Sequence, residues 1–161
     1  MIVVANSGPL ISLAEIGQFR VLRQLFGKIR IPDAVRKEVV VSGKNRPGAS
    51  EVEDSSWIQA MPVRDITGVQ LLRERLGAGE SEAIVLVMGL NADLLLIDEA
   101  RARRIAESRS LKVSGTVGCL VMAKRKGLIP KVTPLLDSLL VSGFRMSNEL
   151  YRKGQALAGE V

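Results

Sequence analysis

The chain has 161 residues, of which 47% are apolar, 25% charged and 3% aromatic, and it contains no histidine. The missing histidine excludes Ser-His-Asp and Cys-His catalysis and argues against a zinc site. The single cysteine, Cys119, cannot form an internal disulfide, and its apolar neighbours indicate a buried packing role in a reducing compartment. Any acid–base or metal chemistry therefore depends on Asp and Glu.

The bulk properties predict a soluble, cytoplasmic protein with one domain over residues 1–161. Residues 1–5 carry no basic residue and the chain turns polar at Asn6, which is unlike a signal peptide. No run approaches the roughly 18 apolar residues of a membrane span. The formal charge of +6 and a pI of about 9.9 favour polyanionic partners such as nucleic acid, although solubility alone explains such a charge equally well.

In the first half of the chain, short apolar runs alternate with one-sided helical patterns. Ser7 is the predicted cap of the first helix, and Pro32 opens a later one. A stretch rich in Gly, Ser, Pro and charge, residues 42–56, is predicted to be a mobile loop. The predicted strands are 2–5, 29–31 and the edge strand 57–63, and the other predicted helices are 10–17, 18–26 and 68–76.

The second half continues the alternation after the break at residues 77–79. The clearest predicted strand is 94–97, followed by a shorter one at 111–113. The alternation predicts an α/β fold, a three-layer α/β/α domain with a central, mostly parallel sheet. The functional crevice of such a sheet lies beyond the carboxyl ends of its strands. The predicted helices are 80–90, 99–108, 116–125, 132–141 and 148–157.

Polar residues follow two of the predicted strands directly. Asn6 and Ser7 follow the first strand, and Asp98 and Glu99 follow the 94–97 strand. If both strands are parallel and central, these residues face one crevice. The structural alternatives are a turn and cap for the first pair and a helix cap for Asp98.

Two further acids belong to helices that begin near the same edge. Glu38 lies on the helix after Pro32, and Glu80 opens a helix just after a glycine-rich turn. A solvated helix face for Glu38 and the favourable helix N-terminus for Glu80 are the structural alternatives. Clustered carboxylates repel one another unless cations lie between them, and oxygen ligands suit Mg²⁺ or Mn²⁺. The pattern therefore favours metal-assisted phosphodiester hydrolysis.

Several segments, taken in order, resemble the PIN-domain family. Residues 2–11 are similar to its opening strand and turn, and residues 31–38 to its Pro-x-x-Val-x-x-Glu helix. Residues 76–84 and 95–103 match its later acidic blocks, whose spacing of 18 residues selects Glu80 rather than Glu82. The tail resembles the VapC-like branch of predicted nucleic-acid-binding proteins, at residues 114–118, 123–130 and 143–147.

The resemblance implies a Mg²⁺- or Mn²⁺-dependent ribonuclease, often a homodimeric toxin held silent by an antitoxin protein. It implies catalytic and metal-binding roles for Glu38, Glu80 and Asp98. Its motif places Ser7 at a supporting hydroxyl position and Glu99, more loosely, at a fourth acid. The chain departs from the family at Asn6, where the family has Asp, and an amide oxygen can ligate a cation but brings no charge.

Two main hypotheses follow. The first is an endoribonuclease in which Lys37, Arg101 and Arg104 contact RNA phosphates. The second is a nucleic-acid-binding or partner-binding module that keeps the fold without hydrolysis, and Asn6 favours it. A phosphatase is a more distant alternative, because no Asp-x-Asp motif follows a strand.

Overall fold

The central sheet has five strands, all parallel, in the computed structural model, which describes residues 1–160. Their order is β3-β2-β1-β4-β5, so β1 and β4 are neighbours near the centre, paired from Val3 with Leu94 to Ala5 with Leu96. The predicted parallel sheet and the edge position of β3 are confirmed. The strands are β1 (Val3–Ala5), β2 (Ile29–Pro32), β3 (Ile58–Met61), β4 (Leu94–Leu96) and β5 (Val113–Ser114).

Helices cover both faces of the sheet, which confirms the three-layer α/β/α architecture. A π-helical segment, Lys37–Ser42, continues directly from α3. Within residues 1–160, no helix is long and apolar enough to cross a membrane. The helices are α1 (Ser7–Glu15), α2 (Arg20–Phe26), α3 (Asp33–Arg36), α4 (Ala49–Asp54), α5 (Ile66–Arg73), α6 (Ala78–Leu90), α7 (Ala100–Ser108), α8 (Thr116–Arg125), α9 (Thr133–Ser142) and α10 (Asn148–Leu157).

The core has two halves because successive strand residues point to opposite faces of the sheet. Val3 and Ala5 pack with α1, α2, α8 and α9, whereas Val4 packs with α5, α6 and α7. Strand β4 divides in the same way, with Leu96 on the first face and Leu95 on the second. These aliphatic layers fix the carboxyl ends of β1 and β4 side by side.

Several details of the sequence prediction are wrong. The strand predicted at 111–113 lies at Val113–Ser114, and Pro32 ends β2 and is the cap residue of α3 rather than its first residue. Residues 42–56 are not only a loop, since α4 lies within them and buries Ala49 and Val52; a six-residue helix is too short to show a clear period. Ser7 is the first residue of α1 rather than its cap, and Asn6 at the cap position makes no side-chain capping bond. Helix α6 begins at Ala78, which places Glu80 within its first turn.

Candidate active site

A cleft of about 1050 Å³ opens at the carboxyl ends of β1 and β4. Its position follows from the topology, because parallel strands place the residues that follow them at one edge. The structure brings seven of the predicted site residues to the lining of this one cleft, which we call the acidic cleft. They are Asn6, Ser7, Glu38, Glu80, Asp98, Glu99 and Arg104.

Asn6 lies where β1 ends, and its backbone N–H donates to the carbonyl of Leu96 at 2.9 Å. Its side chain is buried, and its Oδ1 has no hydrogen-bond partner among residues 1–160. The hydroxyl of Ser7 is buried and partnerless in the same way. A buried acceptor without a partner costs about 1–3 kcal/mol, so these two oxygens are suited to receiving a ligand.

Glu38 and Asn6 both approach Gly79 of α6. The π-helical segment turns its neighbours Val39 and Val40 into the core and leaves Glu38 exposed. A Cβ atom added at Gly79 would lie 2.8 Å from Glu38 Oε2 and 3.1 Å from Asn6 Oδ1. The two oxygens therefore converge beside Gly79, and the missing side chain there leaves them room.

Glu82 does not line the cleft, although only one residue separates it from Glu80. Two residues apart on a helix point to nearly opposite sides, so Glu82 faces α3 while Glu80 lines the cleft. The backbone N–H of Ala34 donates to Glu82 Oε1 at 3.1 Å, which caps the start of α3. Glu82 thus holds the helix that leads to Glu38, a role that sequence reasoning missed.

Glu80 folds back over the beginning of its own helix. A Cβ atom added at Gly77, the cap residue of α6, would lie 2.8 Å from Glu80 Oε2. A carboxylate at a helix N-terminus is stabilised by the unpaired N–H groups there. Glu80 therefore has both the helix N-terminal position considered from the sequence and a place in the cleft lining.

Asp98 joins the end of β4 to the start of α8. Its Oδ1 accepts from the N–H of Thr116 at 2.7 Å and its Oδ2 from the Thr116 hydroxyl at 2.6 Å. Burial raises the pKa of Asp98, and the bonds from Thr116 and the charge of Arg103 oppose that rise. Glycines flank the carboxylate closely: a Cβ atom at Gly115 would lie 2.5 Å from Oδ1, and one at Gly8 3.2 Å from Oδ2. This Asp98 is therefore an anchor as well as a cleft residue.

The capping role considered for Asp98 on the following helix belongs instead to Glu99. Its two carboxylate oxygens accept from the N–H groups of Arg101 at 3.1 Å and Ala102 at 2.7 Å. Glu99 lines the cleft, but its oxygens are engaged in this cap.

The three cationic side chains predicted to contact phosphates lie in different places. Arg104 lines the acidic cleft, Arg101 lines a pocket beside it, and Lys37 is exposed and lines neither. Sequence reasoning missed Arg103, whose Nη1 donates to the carbonyl of Ile97 at 3.1 Å. It also missed Lys153, which lines the cleft from α10. Neither signals its position in the sequence, because each reaches the cleft only through the packing of helices.

Cys119 is fully buried, as its apolar neighbours predict. Burial, with a smaller contribution from the nearby Asp98 charge, raises the pKa of its thiol to about 12. A thiol with that pKa is not a nucleophile at neutral pH.

The donor set suits a hard divalent cation without forming a preassembled carboxylate cage. Among residues 1–160, no three Asp, Glu or Cys side chains stand close enough together to hold a metal ion. However, the partnerless oxygen of Asn6 and a carboxylate oxygen of Glu38 converge, and Glu80 and Asp98 line the same cleft. Oxygen donors of this kind are the ligands of Mg²⁺ and Mn²⁺.

Comparison with known proteins agrees with this architecture. A family model described as a PIN domain matches residues 2–160, nearly the whole chain. No curated protein matches the chain significantly. PIN domains are generally metal-dependent nucleases, and their fold is the parallel α/β/α sandwich described above. The chain belongs to the PIN-domain family.

Proposed function

We propose that this protein is a Mg²⁺- or Mn²⁺-dependent endoribonuclease that hydrolyses phosphodiester bonds of RNA. The observation that carries the proposal is the buried, partnerless oxygen of Asn6, which converges with the Glu38 carboxylate beside Gly79. A buried acceptor next to a carboxylate is unfavourable unless a cation or a donor binds between them. The formal charge of +6 supports a polyanionic substrate.

In this proposal Asn6 and Glu38 hold the cation, with Glu80 and Asp98 contributing from the same cleft. When bound, a divalent cation polarises a phosphodiester and lowers the pKa of a water molecule. Thr116 keeps the Asp98 carboxylate in a fixed orientation through two hydrogen bonds. Arg104, exposed at the cleft wall, supplies a positive charge for the substrate phosphate.

A second candidate function is RNA or partner binding without hydrolysis, and the observation that favours it is also Asn6. An amide oxygen brings no negative charge, so fewer charges balance a divalent cation than in a site with Asp at this position. Such a site binds metal more weakly.

The nuclease is tested by incubating single-stranded RNA with the purified protein and Mn²⁺ or Mg²⁺, with an EDTA control. Glu38→Gln is the informative variant, because Glu38 is exposed, whereas Asp98→Asn also disturbs the anchor to α8. We expect Glu38→Gln to lower metal-dependent cleavage by at least about a hundredfold. Glu53→Gln, exposed on α4, is the matched control and should cleave normally.

Cleavage that survives EDTA, or that Glu38→Gln leaves intact, would contradict the proposal. RNA binding without cleavage in any metal would leave the binding module as the function. Thermal melting of each variant checks that a lost activity does not reflect a lost fold.

We further propose that the protein is the toxin of a toxin–antitoxin pair and acts in the cytoplasm. In this proposal it forms a homodimer and also binds an antitoxin protein. Large apolar side chains exposed on the monomer support an association surface, among them Ile66 and Leu71 on α5 and Val141 on α9. Growth arrest on expression in bacteria, relieved by Glu38→Gln, would support toxicity. Light scattering measures the oligomeric state, and a monomer would contradict the homodimer.

A further inference from the structure

Three arginines surround two adjoining pockets just outside the acidic cleft. Arg75 comes from the turn between α5 and α6, and Arg101 and Arg104 come from α7. The pockets have volumes of about 520 and 250 Å³. Arg101 Nη1 donates to the backbone carbonyl of Arg75 at 3.3 Å, so the two elements are joined at this point. We refer to Arg75, Arg101 and Arg104 as the arginine cluster.

No carboxylate forms an ion pair with the arginine cluster in the part of the chain that the structure describes. The one ion pair within residues 1–160 joins Lys124 to Glu160, far along the chain. Glu99 lines the smaller pocket, but both of its oxygens accept backbone N–H groups of α7. Glu80 lines the smaller pocket too, with its carboxylate beside Gly77 of the same lining and in no ion pair. The larger pocket is lined by the same three exposed guanidinium groups and by no carboxylate, so it forms an anion-binding surface.

The arginine cluster is continuous with the acidic cleft. The smaller pocket and the cleft share four lining residues, namely Glu80, Glu99, Ala100 and Arg104. An anion bound by the cluster would therefore lie next to a phosphodiester held at the acidic cleft. A ligand that fills both positions has regularly spaced negative charges, as a nucleic acid strand does.

The chemistry of the pockets also indicates which part of the strand they contact. No aromatic side chain lines either pocket, so the strongest platform for base stacking is missing there. Guanidinium groups match phosphate oxygens in a bidentate geometry. The contact is therefore with the backbone and does not depend on base sequence.

We propose that the arginine cluster is a subsite for a backbone phosphate of single-stranded RNA, adjacent to the phosphodiester that is cleaved. The inference rests on the proposed function, since it assigns the substrate strand of that same site a path across α7. It adds Arg75 and Arg101 to the proposed substrate contacts and makes the subsite a determinant of RNA affinity.

The test measures binding separately from cleavage. Fluorescence anisotropy of labelled oligouridine and oligoadenosine, in EDTA and over a range of salt concentrations, gives the affinity and its salt slope. Each of the variants Arg75→Gln, Arg101→Gln and Arg104→Gln should lower the slope by about 0.7 and weaken binding roughly fivefold at 0.1 M salt. Both oligonucleotides should be affected equally. Arg23→Gln, exposed on α2 at the opposite face of the sheet, is the control and should change little.

Three outcomes would overturn the subsite: variants that bind RNA like the control, losses confined to one base sequence, or displacement of RNA by inorganic phosphate at constant ionic strength. The last would assign the pocket to free phosphate. If the cluster variants weaken RNA binding but the unmodified protein cleaves nothing in any metal, the subsite stands and the nuclease fails. If RNA is cleaved and the variants leave KM unchanged, the nuclease stands and the subsite fails.

Discussion

Two regions of the molecule bring side-chain oxygens together, and they differ in whether those oxygens have hydrogen-bond partners. Near the C-terminus, the Glu160 carboxylate accepts from Lys124 Nζ at 2.8 Å, from the N–H groups of Val132 and Thr133 at 2.6 and 2.9 Å, and from the Thr133 hydroxyl at 2.7 Å. At the acidic cleft, Asn6 Oδ1 is buried without a partner beside the Glu38 carboxylate. In the first region the hydrogen bonds hold α8 and α9 together, whereas in the second region acceptors remain free for a ligand.

The hydrogen bonds around the Glu160 carboxylate lower its pKa. Burial raises it, but the hydrogen bonds from Lys124, Val132 and Thr133 together outweigh burial and lower it to about 2, from an ordinary value of 4.5. A carboxyl group whose pKa is lowered in the folded state stabilises that state above its unfolded pKa. The contribution of Glu160 is thus complete above pH 4.5 and is lost as the pH falls through about 2.

The largest expected change in stability comes from removing the hydrogen bonds of the Glu160 carboxylate. Glu160→Gln should lower the free energy of unfolding at neutral pH by about 2 kcal/mol, because it removes charge-assisted hydrogen bonds. The deficit should shrink as the pH falls, since the wild-type carboxylate becomes protonated. Urea unfolding at several pH values measures this, and a deficit that stays constant down to acidic pH would contradict the assignment. RNA cleavage by the folded variant should be unchanged.

A smaller effect, on function rather than stability, should come from filling the space beside Gly79. Gly79→Ala places a methyl group against Glu38 Oε2 and Asn6 Oδ1 and should weaken Mn²⁺ binding by roughly tenfold. Stability should hold or rise by up to about 1 kcal/mol, because alanine favours the helix and the Glu38 side chain can swing away. Gly89→Ala, in the same helix with nothing within 4 Å of the new methyl group, is the control. Equal metal affinity in the two variants would contradict the convergence of the two oxygens.

The smallest expected effect concerns Glu82, which supports the acidic cleft without lining it. Glu82→Ala leaves the N–H of Ala34 without its acceptor and should cost about 1 kcal/mol of stability. Because α3 leads to Glu38, Mn²⁺ affinity should fall a few-fold, whereas Glu82→Gln, which keeps an acceptor oxygen, should restore it. A Gln variant as defective as the Ala variant would show that the charge, not the cap, matters.

Much of the fold follows from the sequence because aliphatic runs and helical periods report burial directly. Helices α8 and α10 begin and end where the pattern predicts, and strands β1 and β4 follow short apolar runs closely. The gathering of Asn6, Ser7, Asp98 and Glu99 also follows, from the rule that parallel strands end at one edge.

The remainder depends on contacts between distant segments, which periodicity does not report. The bonds from Thr116 to Asp98, from Ala34 to Glu82 and from Thr133 to Glu160 each join residues 18 to 48 positions apart. The space beside Gly79 likewise arises only when α3, which leads into the π-helical segment, packs against α6. These contacts decide which acids are engaged in caps and anchors and which remain open to a ligand.

The central claim is that the oxygen of Asn6, together with the Glu38 carboxylate, receives a divalent cation. Calorimetric titration with Mn²⁺ tests it most directly, using the wild type, Asn6→Asp and Asn6→Leu. We expect the wild type to bind, Asn6→Asp to bind roughly tenfold more tightly because it adds a charge, and Asn6→Leu to lose binding while remaining folded. Identical Mn²⁺ affinities in all three proteins would contradict the account.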